Sequence, residues 1–279
     1  MADWRALPSA TSPRLYVGPG DSVARALQLY APYSRVARTV TSVLRSLPDF
    51  VARRLLPRAT DAAVLASVES IAARTPLLLD TPRAAVSIAP GTPGPDRKAT
   101  AQASVDGRVI AYAKFATTGA ARDLVRREHA VLQSLAASPP PCAVPRVLAF
   151  DDTAAETVLV QQAAPPGTRT LPAVADADML RLAAAIAATE ARRCLAARFA
   201  ARRVPTGFGH GDFAPWNLRR LPDGTLYAFD WEYGGPEQPV TDDLMHALFM
   251  PAVLVQRRDP RQAVGTVLDA LATDVPATL

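Results

Sequence analysis

A carboxylate and a carboxamide five residues apart open the richest chemical stretch of this chain: His210-Gly211-Asp212-Phe213-Ala214-Pro215-Trp216-Asn217 is followed, after a short turn, by Asp230-Trp231-Glu232. Hard oxygen ligands set side by side at the open end of a hairpin suit Mg²⁺, with phosphates and water completing its shell. Asp223 and Gly224 form a preferred two-residue hairpin turn, so residue 222 is expected to pair with 225 and, counting outward, Asn217 to face Asp230. Asp212, in the loop beside them, is placed to orient an attacking hydroxyl and accept its proton. Taken singly, each Asp or Asn reads as a turn residue capping backbone amides. The combination is rarer: in a chain with three histidines, H-G-D-x-x-x-x-N arises by chance in on the order of one chain in a thousand.

A second constellation lies earlier. Only Lys98 and Lys114 are lysines among 31 basic residues, so arginine is the ordinary cation here and a lysine invites a reason. The Asp106 and Gly107 turn pairs Val105 with Arg108, which is expected to set Lys114 opposite Ala99 and beside the loop 91–98. Gly91 and Gly94 in that loop offer close backbone approach to phosphates, although alone it reads as a surface turn. On the next helix Leu124, Glu128, Val131, Leu132 and Leu135 share one stripe, which places Glu128 in an apolar face where it needs a cationic partner. Lys114 is the natural one, and the pair would hold the ammonium against nucleotide phosphates. A plain ion pair, or a Glu reaching back to solvent, is the other reading.

The elements that must position these residues follow from pattern. Residues 1–80 read as a helical layer: a helix capped by Asp21 and reaching Tyr30, a second over 34–45, a third between Pro48 and Pro57, and a fourth over 60–74 with Val64, Leu65, Val68 and Ile71 at helical spacing. In the second, Val36, Val40, Val43, Leu44 and Leu47 oppose Arg35, Arg38 and Arg45. That pattern fits a membrane surface, but packing against the protein's own core is the favoured expectation. From residue 83 the texture changes to strands at 84–90, 99–105 and 108–116, a helix to about 137, then strands at 147–151 and 156–162. A connector at 165–170, a long helix over 176–203, a hairpin and two closing helices complete the chain.

This order of parts resembles the aminoglycoside phosphotransferase and choline kinase family, whose fold is protein-kinase-like. The motifs carrying the likeness are H-G-D where protein kinases have H-R-D, and the strand ending Asp230-Trp231-Glu232. The resemblance covers roughly residues 84–250. It implies an α+β, two-lobed protein-kinase-like fold, with a small antiparallel-sheet N-lobe over 81–163 and a mostly helical C-lobe over 164–279, preceded by the N-terminal helical extension that the pattern of residues 1–80 suggests. It implies an ATP- and Mg²⁺-dependent phosphotransferase with Asp212 as catalytic base, Asn217 and Asp230 as Mg²⁺ ligands, Lys114 on the α/β-phosphates and Glu128 as its partner. Gly91 and Gly94 would lie over the phosphates. Residues 161–163, with Gln162 and Ala163, would be the hinge that bonds the adenine. Asp243 looks like the family's later Asp that braces the catalytic loop, or else a helix cap, and His210 and Trp216 serve packing and loop support. The chain departs from the family in its first 80 residues and in having only 46 residues between Ala163 and His210, where many relatives build the acceptor pocket.

Composition bounds the rest. At 279 residues with 49% apolar and 20% charged residues, the chain builds a sizeable core, which excludes disorder and a disulfide scaffold. Cys142 and Cys194 have no close Cys or His partner, so neither zinc nor a bridge is read from them. No apolar run reaches the roughly 18 residues of a membrane span, and the start lacks a secretion signal, so a cytoplasmic protein is expected. The charge of +5 suits an acidic partner such as a phosphate, but the basic residues form no run, and no nucleic acid is expected. For the acceptor, a sugar or saccharide hydroxyl is favoured. Arg97, Lys98, residues 110–115 and the extra N-terminal layer are loosely similar to bacterial relatives linked to cell-surface saccharide synthesis. Choline or ethanolamine, which would call for an aromatic cage, and aminoglycosides, which call for an acidic pocket, are the alternatives. From another class comes a nucleotide-binding pseudokinase with 1–80 as a docking module; the presence of all five key positions argues against it. A serine hydrolase has no G-x-S-x-G to support it.

Overall fold

The computed structural model describes residues 2–30, 35–189 and 205–274. The chain is α+β and divides into two compact units, Met1–Arg126 with Val147–Ala163, and Arg127–Arg146 with Ala164–Leu279.

The first unit is built on a seven-stranded antiparallel sheet. Its strands are β1 (Arg5–Leu7), β2 (Leu15–Val17), β3 (Ala85–Ala89), β4 (Lys98–Val105), β5 (Arg108–Ala116), β6 (Val147–Asp152) and β7 (Thr157–Gln162), in the order β1-β2-β3-β4-β5-β7-β6. The helices are α1 (Val23–Ala26), α2 (Arg35–Ser46), α3 (Asp49–Leu55), α4 (Ala62–Leu78) and α5 (Gly119–Ala137), the last of which runs on into the second unit. The expected strands are all present.

Residues 1–80 are not the separate helical extension that the pattern suggests. β1 and β2 pair with each other and, through Tyr16 opposite Ile88, extend the sheet. Two three-residue strands leave too short a period for a strand signal to be read. Asp61 caps α4 by accepting the N–H groups of Ala63 and Val64. The helix lays Leu65 and Val68 on Ile88, Ala101, Ala103, Ala111, Ala113, Phe115, Val158 and Val160. With a side-chain period of two, these strand residues define one face of the sheet and Lys114 belongs to the other. Asp21 does not cap α1: Ser22 does, accepting from the N–H of Arg25, while buried Asp21 accepts from Ser87 Oγ at 2.6 Å. The acid thus fastens the helix to the sheet.

α2 also differs from expectation. Thr41 and Leu44 are buried, and Leu44 joins Ala52, Leu56, Leu27 and Val23 in a small second core. Val36, Val40 and Val43 face outward instead, because the Arg45 guanidinium donates to the Leu27 carbonyl and Leu44 takes the inner position. The apolar stripe is wider than the core that receives it.

The second unit contains β8 (Arg169–Thr170), α6 (Ala177–Thr189), β9 (Thr206–Gly209), a 3₁₀ turn (Pro215–Asn217), β10 (Leu218–Arg220), β11 (Leu226–Ala228), β12 (Gly235–Pro239), α7 (Asp242–Met250), a π turn (Pro251–Val255) and α8 (Pro260–Asp274). β8, β10 and β11 form one small antiparallel sheet, and β9 with β12 another. The long helix expected over 176–203 is observed as α6; its later part, with Cys194, lies outside the described residues. Among the described residues no helix is long and apolar enough to cross a membrane.

Candidate active site

The loop 210–217 leaves β9 and is tied from both sides. Asp243, in the first turn of α7, accepts the backbone N–H groups of His210 at 2.7 Å and Gly211 at 2.9 Å, one on each carboxylate oxygen. It is therefore the brace of the loop rather than a helix cap; the N-cap position belongs to Thr241. Gly211 has φ +79°, and a Cβ there would lie 2.4 Å from the Tyr233 carbonyl oxygen. Backbone passes backbone at this point, so only glycine fits.

His210 is wholly buried against Trp231, with ring centroids 4.5 Å apart, and against Phe213. Its Nδ1 lies 3.3 Å from the N–H of Asp212 and accepts from it, which leaves Nε2 to carry the proton and donate to the Phe229 carbonyl at 3.0 Å. The imidazole is a strut that joins the loop to the strand exit. Trp216, expected to support the loop, is 36% exposed and does not pack as His210 does.

Asp212 and Asn217 are brought together. The Asn217 Nδ2 donates to the Asp212 backbone carbonyl at 2.9 Å and to Asp212 Oδ2 at 2.8 Å. Both amide hydrogens are thereby used, and the group that Asn217 has left to offer is its Oδ1, an acceptor and a hard ligand. His246, one turn beyond Asp243 on α7, puts Nδ1 3.2 Å from Asp212 Oδ1. That is an ion-pair distance, although the pair is off hydrogen-bond alignment, and the nitrogen is shut from solvent. Each oxygen of Asp212 thus has one neighbour, while its side chain keeps 28% exposure.

The hairpin register differs by one residue from the sequence reading. Leu218 faces Ala228 and Arg220 faces Leu226, and the Phe229 N–H donates to the Asn217 carbonyl, so Asn217 stands opposite Phe229 rather than Asp230. The cause is Pro222, which has no N–H for the pair with residue 225 that a two-residue turn requires. Leu221 takes that place, its N–H on the Thr225 carbonyl at 2.8 Å, and Gly224 at φ +90° closes a three-residue turn. Asp230 follows just beyond the paired residues, with φ +71°. A left-handed Asp at a strand exit is uncommon, and such strain collects at working sites.

Asp230 is grouped with two acids. Glu128, Asp230 and Glu232 each place a carboxylate oxygen within 4.8 Å of the others, with Glu128 and Glu232 buried. Carboxylates so close, two of them buried, favour a cation among them. All-oxygen donors, with the Asn217 Oδ1 a few residues away in the same hairpin, fit Mg²⁺. Sequence reasoning missed Glu232 and His246. The signals were present: Glu232 shares a strand-exit face with Asp230 at a spacing of two, and His246 shares a helix face with Asp243 at a spacing of three.

The remaining expected residues lie in the first unit or at its edge. A bulge between Ala103 and Ser104 makes Ile110 an extra residue on β5, so Lys114 stands opposite Thr100 and Leu159 rather than Ala99. Bulges leave no sequence mark here beyond a run of small residues. Lys114 is buried, and Glu128, its expected partner, belongs to the second unit among the acids above. Gln162 pairs with Ala111, and the Ala163 N–H donates to the Ile110 carbonyl at 3.0 Å. Gly91, with φ +75°, is required by the turn, since a Cβ would lie 2.2 Å from the Lys98 carbonyl oxygen; around Gly94 there is nothing within 4 Å.

Residues 160–277 match the sequence model of the phosphotransferase enzyme family. The match is confined to that stretch. It takes in Gln162, Ala163, Asp212, Asn217, Asp230 and Asp243, whereas Gly91, Gly94, Lys114 and Glu128 precede it. Among solved structures the chain is similar to an aminoglycoside phosphotransferase of Streptomyces rimosus ATCC10970 in complex with ADP and streptomycin, at 20% identity over 62% of this chain and 82% of that one, TM-score 0.40. It is also similar to the choline kinase LicA of Streptococcus pneumoniae, at 19% identity over 63% and 71%, TM-score 0.37. A third is a macrolide 2′-phosphotransferase of Brachybacterium faecium, at 18% identity over 65% and 85%, TM-score 0.34. No curated protein matches the chain.

Proposed function

We propose that the protein transfers the γ-phosphoryl group of ATP to a hydroxyl of a small molecule, with a sugar or saccharide as the favoured acceptor. The observation that carries this reading is the Asp212–Asn217 pair, in which the carboxamide spends its hydrogens on the base and keeps its oxygen for a metal. Asp212 orients the acceptor hydroxyl and takes its proton as the new oxygen–phosphorus bond forms and the bond to the ADP leaving oxygen breaks. Mg²⁺ held by Asp230 and Asn217, with Glu232 and Glu128 close by, would neutralise charge on the phosphates. Asp243 and His210 hold the loop so that Asp212 needs no rearrangement when substrate arrives. Lys114 is assigned to the α/β-phosphates, the amides around Gly91 and Gly94 to the phosphate oxygens, and Gln162 with Ala163 to the base.

The saccharide acceptor rests on the loose likeness of Arg97, Lys98, residues 110–115 and the N-terminal layer to bacterial relatives linked to cell-surface saccharide synthesis, and on the absence of an excess of acidic residues, which polycationic aminoglycosides would call for. The deciding experiment is a thermal-shift titration with Mg²⁺-ATP and Mg²⁺-GTP beside Asp230→Ala, followed by an acceptor screen that starts with sugars. A metal-dependent rise in Tm that the variant loses is expected. No rise with either nucleotide would overturn this reading, and a rise without transfer to any acceptor would favour the pseudokinase.

A further inference from the structure

The outward face of α2 and α3 serves neither the core nor the candidate active site. Val36, Val40 and Val43, at i, i+4 and i+7 of one helix, are 75%, 48% and 51% exposed, and α3 adds Phe50 and Leu55 at 66% and 63%. Both helices turn their other sides into the first unit, through Thr41 and Leu44 in one and Ala52 in the other, with Leu56 just past its end. Five large apolar side chains in water on two consecutive helices exceed the scattered exposure usual for a soluble surface.

Charge identifies what would cover them. Residues 35–58 contain six arginines and one aspartate, a net of +5, and the whole chain is +5. The rest of the chain sums to zero, so the segment that exposes the apolar stripe carries a marked local excess of positive charge. Arg38, Arg45 and Arg54 are exposed on these helices, and Arg58 follows immediately. A second copy of the chain has no net negative charge to offer this surface. A bilayer with anionic headgroups offers both an apolar layer for the valines, Phe50 and Leu55 and a sheet of negative charge for the arginines.

We infer that α2 and α3 form a peripheral docking surface for an anionic membrane. Binding is weak and reversible, because the valines are short and the helices stay fastened to the core through Leu44 and Leu56. It also falls with salt, since the charge contribution is screened within about 8 Å at physiological ionic strength.

The test is co-sedimentation of the full chain with phosphatidylcholine vesicles, with and without phosphatidylglycerol. Binding is expected only to the anionic vesicles. Arg38→Gln with Arg54→Gln should weaken it by about fivefold for each charge removed, and Val40→Ser with Val43→Ser should weaken it by at least tenfold. Both pairs change exposed side chains, so an unchanged Tm and an unchanged Mg²⁺-ATP response verify that the fold persists. As an independent readout, the emission of Val40→Trp should shift to the blue with anionic vesicles. No binding to anionic vesicles, equal binding by both variant pairs, or self-association in light scattering without vesicle binding overturns the inference. In the last case the face is a protein interface.

Discussion

The loop 210–217 and the loop 91–97 are both short, both contain glycines, and both are assigned to the handling of phosphate, yet they are held in opposite ways. In the first, Asp243 takes two backbone N–H groups, Asn217 holds Asp212 at two points, His210 ties the loop to Phe229, and Gly211 lies against Tyr233. The second has an N–H of Arg97 on the Gly94 carbonyl, the Arg97 side chain on Pro90 and Thr118 on Pro95, and its residues are exposed. A group that must meet one hydroxyl proton gains from fixed geometry, since a displacement of about 1 Å costs on the order of a hundredfold in rate. A loop that contacts phosphate oxygens through backbone amides meets many equivalent acceptors and needs less.

That contrast is sharpest at Asp212. Asp212→Ala should lower turnover on the order of a thousandfold while leaving Mg²⁺-ATP affinity within about threefold, measured by steady-state kinetics beside nucleotide titration. Near-normal turnover would remove the base from the fixed loop and the comparison with it. Next in size is a pair of glycine substitutions. Gly211→Ala should cost about 3 kcal/mol or more, because its Cβ meets backbone at a positive φ, whereas Gly94→Ala, with open space around its Cβ, should cost only the backbone strain of about 1 kcal/mol. Denaturant melts of both variants measure this, and equal losses would mean that the two loops are equally constrained.

His246→Leu should reduce turnover on the order of tenfold with little change in KM for ATP. His246→Asn, which keeps an N–H near the Nδ1 position, should recover most of it. A KM effect in place of a kcat effect, or no recovery by Asn, would show that His246 does no more than fill space beside Asp212. The smallest effect is expected outside both loops. Arg126 holds the Asp152 carboxyl well below the usual carboxylate range, with Thr157 and Arg122 adding to it. Because the folded-state value is depressed, the stabilisation is present above the unfolded-state value of about 3.9 and disappears as pH falls through the lower folded value. Acid titration of Tm should therefore be steeper for the native chain than for Asp152→Asn, by a small margin at this exposed site.

The chemistry was more legible than the geometry that positions it. Asp212, Asn217, Asp230 and Asp243 stood out because residue type and spacing carry their meaning. Glu128 was legible as a carboxylate in an apolar stripe, but the acids it joins were not, since Glu232 comes from a strand exit a hundred residues away. Both hairpin registers were read one residue out, and in each case a local backbone event was responsible: Pro222 moved the turn, and the bulge at Ile110 moved Lys114. Strands of three residues, or rich in small side chains as β4 is, carry too weak an alternation to mark a one-residue slip.

Residue identity by itself determined that this chain holds a strand-rich part before a helical part, and that an acid and an amide at H-G-D-x-x-x-x-N are its chemical centre. Propensity, caps and turn chemistry act over a few residues, and those elements are where such forces put them. Tertiary structure alone decided that β1 and β2 complete the sheet, that Asp243 and His246 reach the loop from α7, and that Val36, Val40 and Val43 are left outside. Each of these depends on which of several similar surfaces finds room in a core. Packing settles that across long sequence separations, and no short pattern records it.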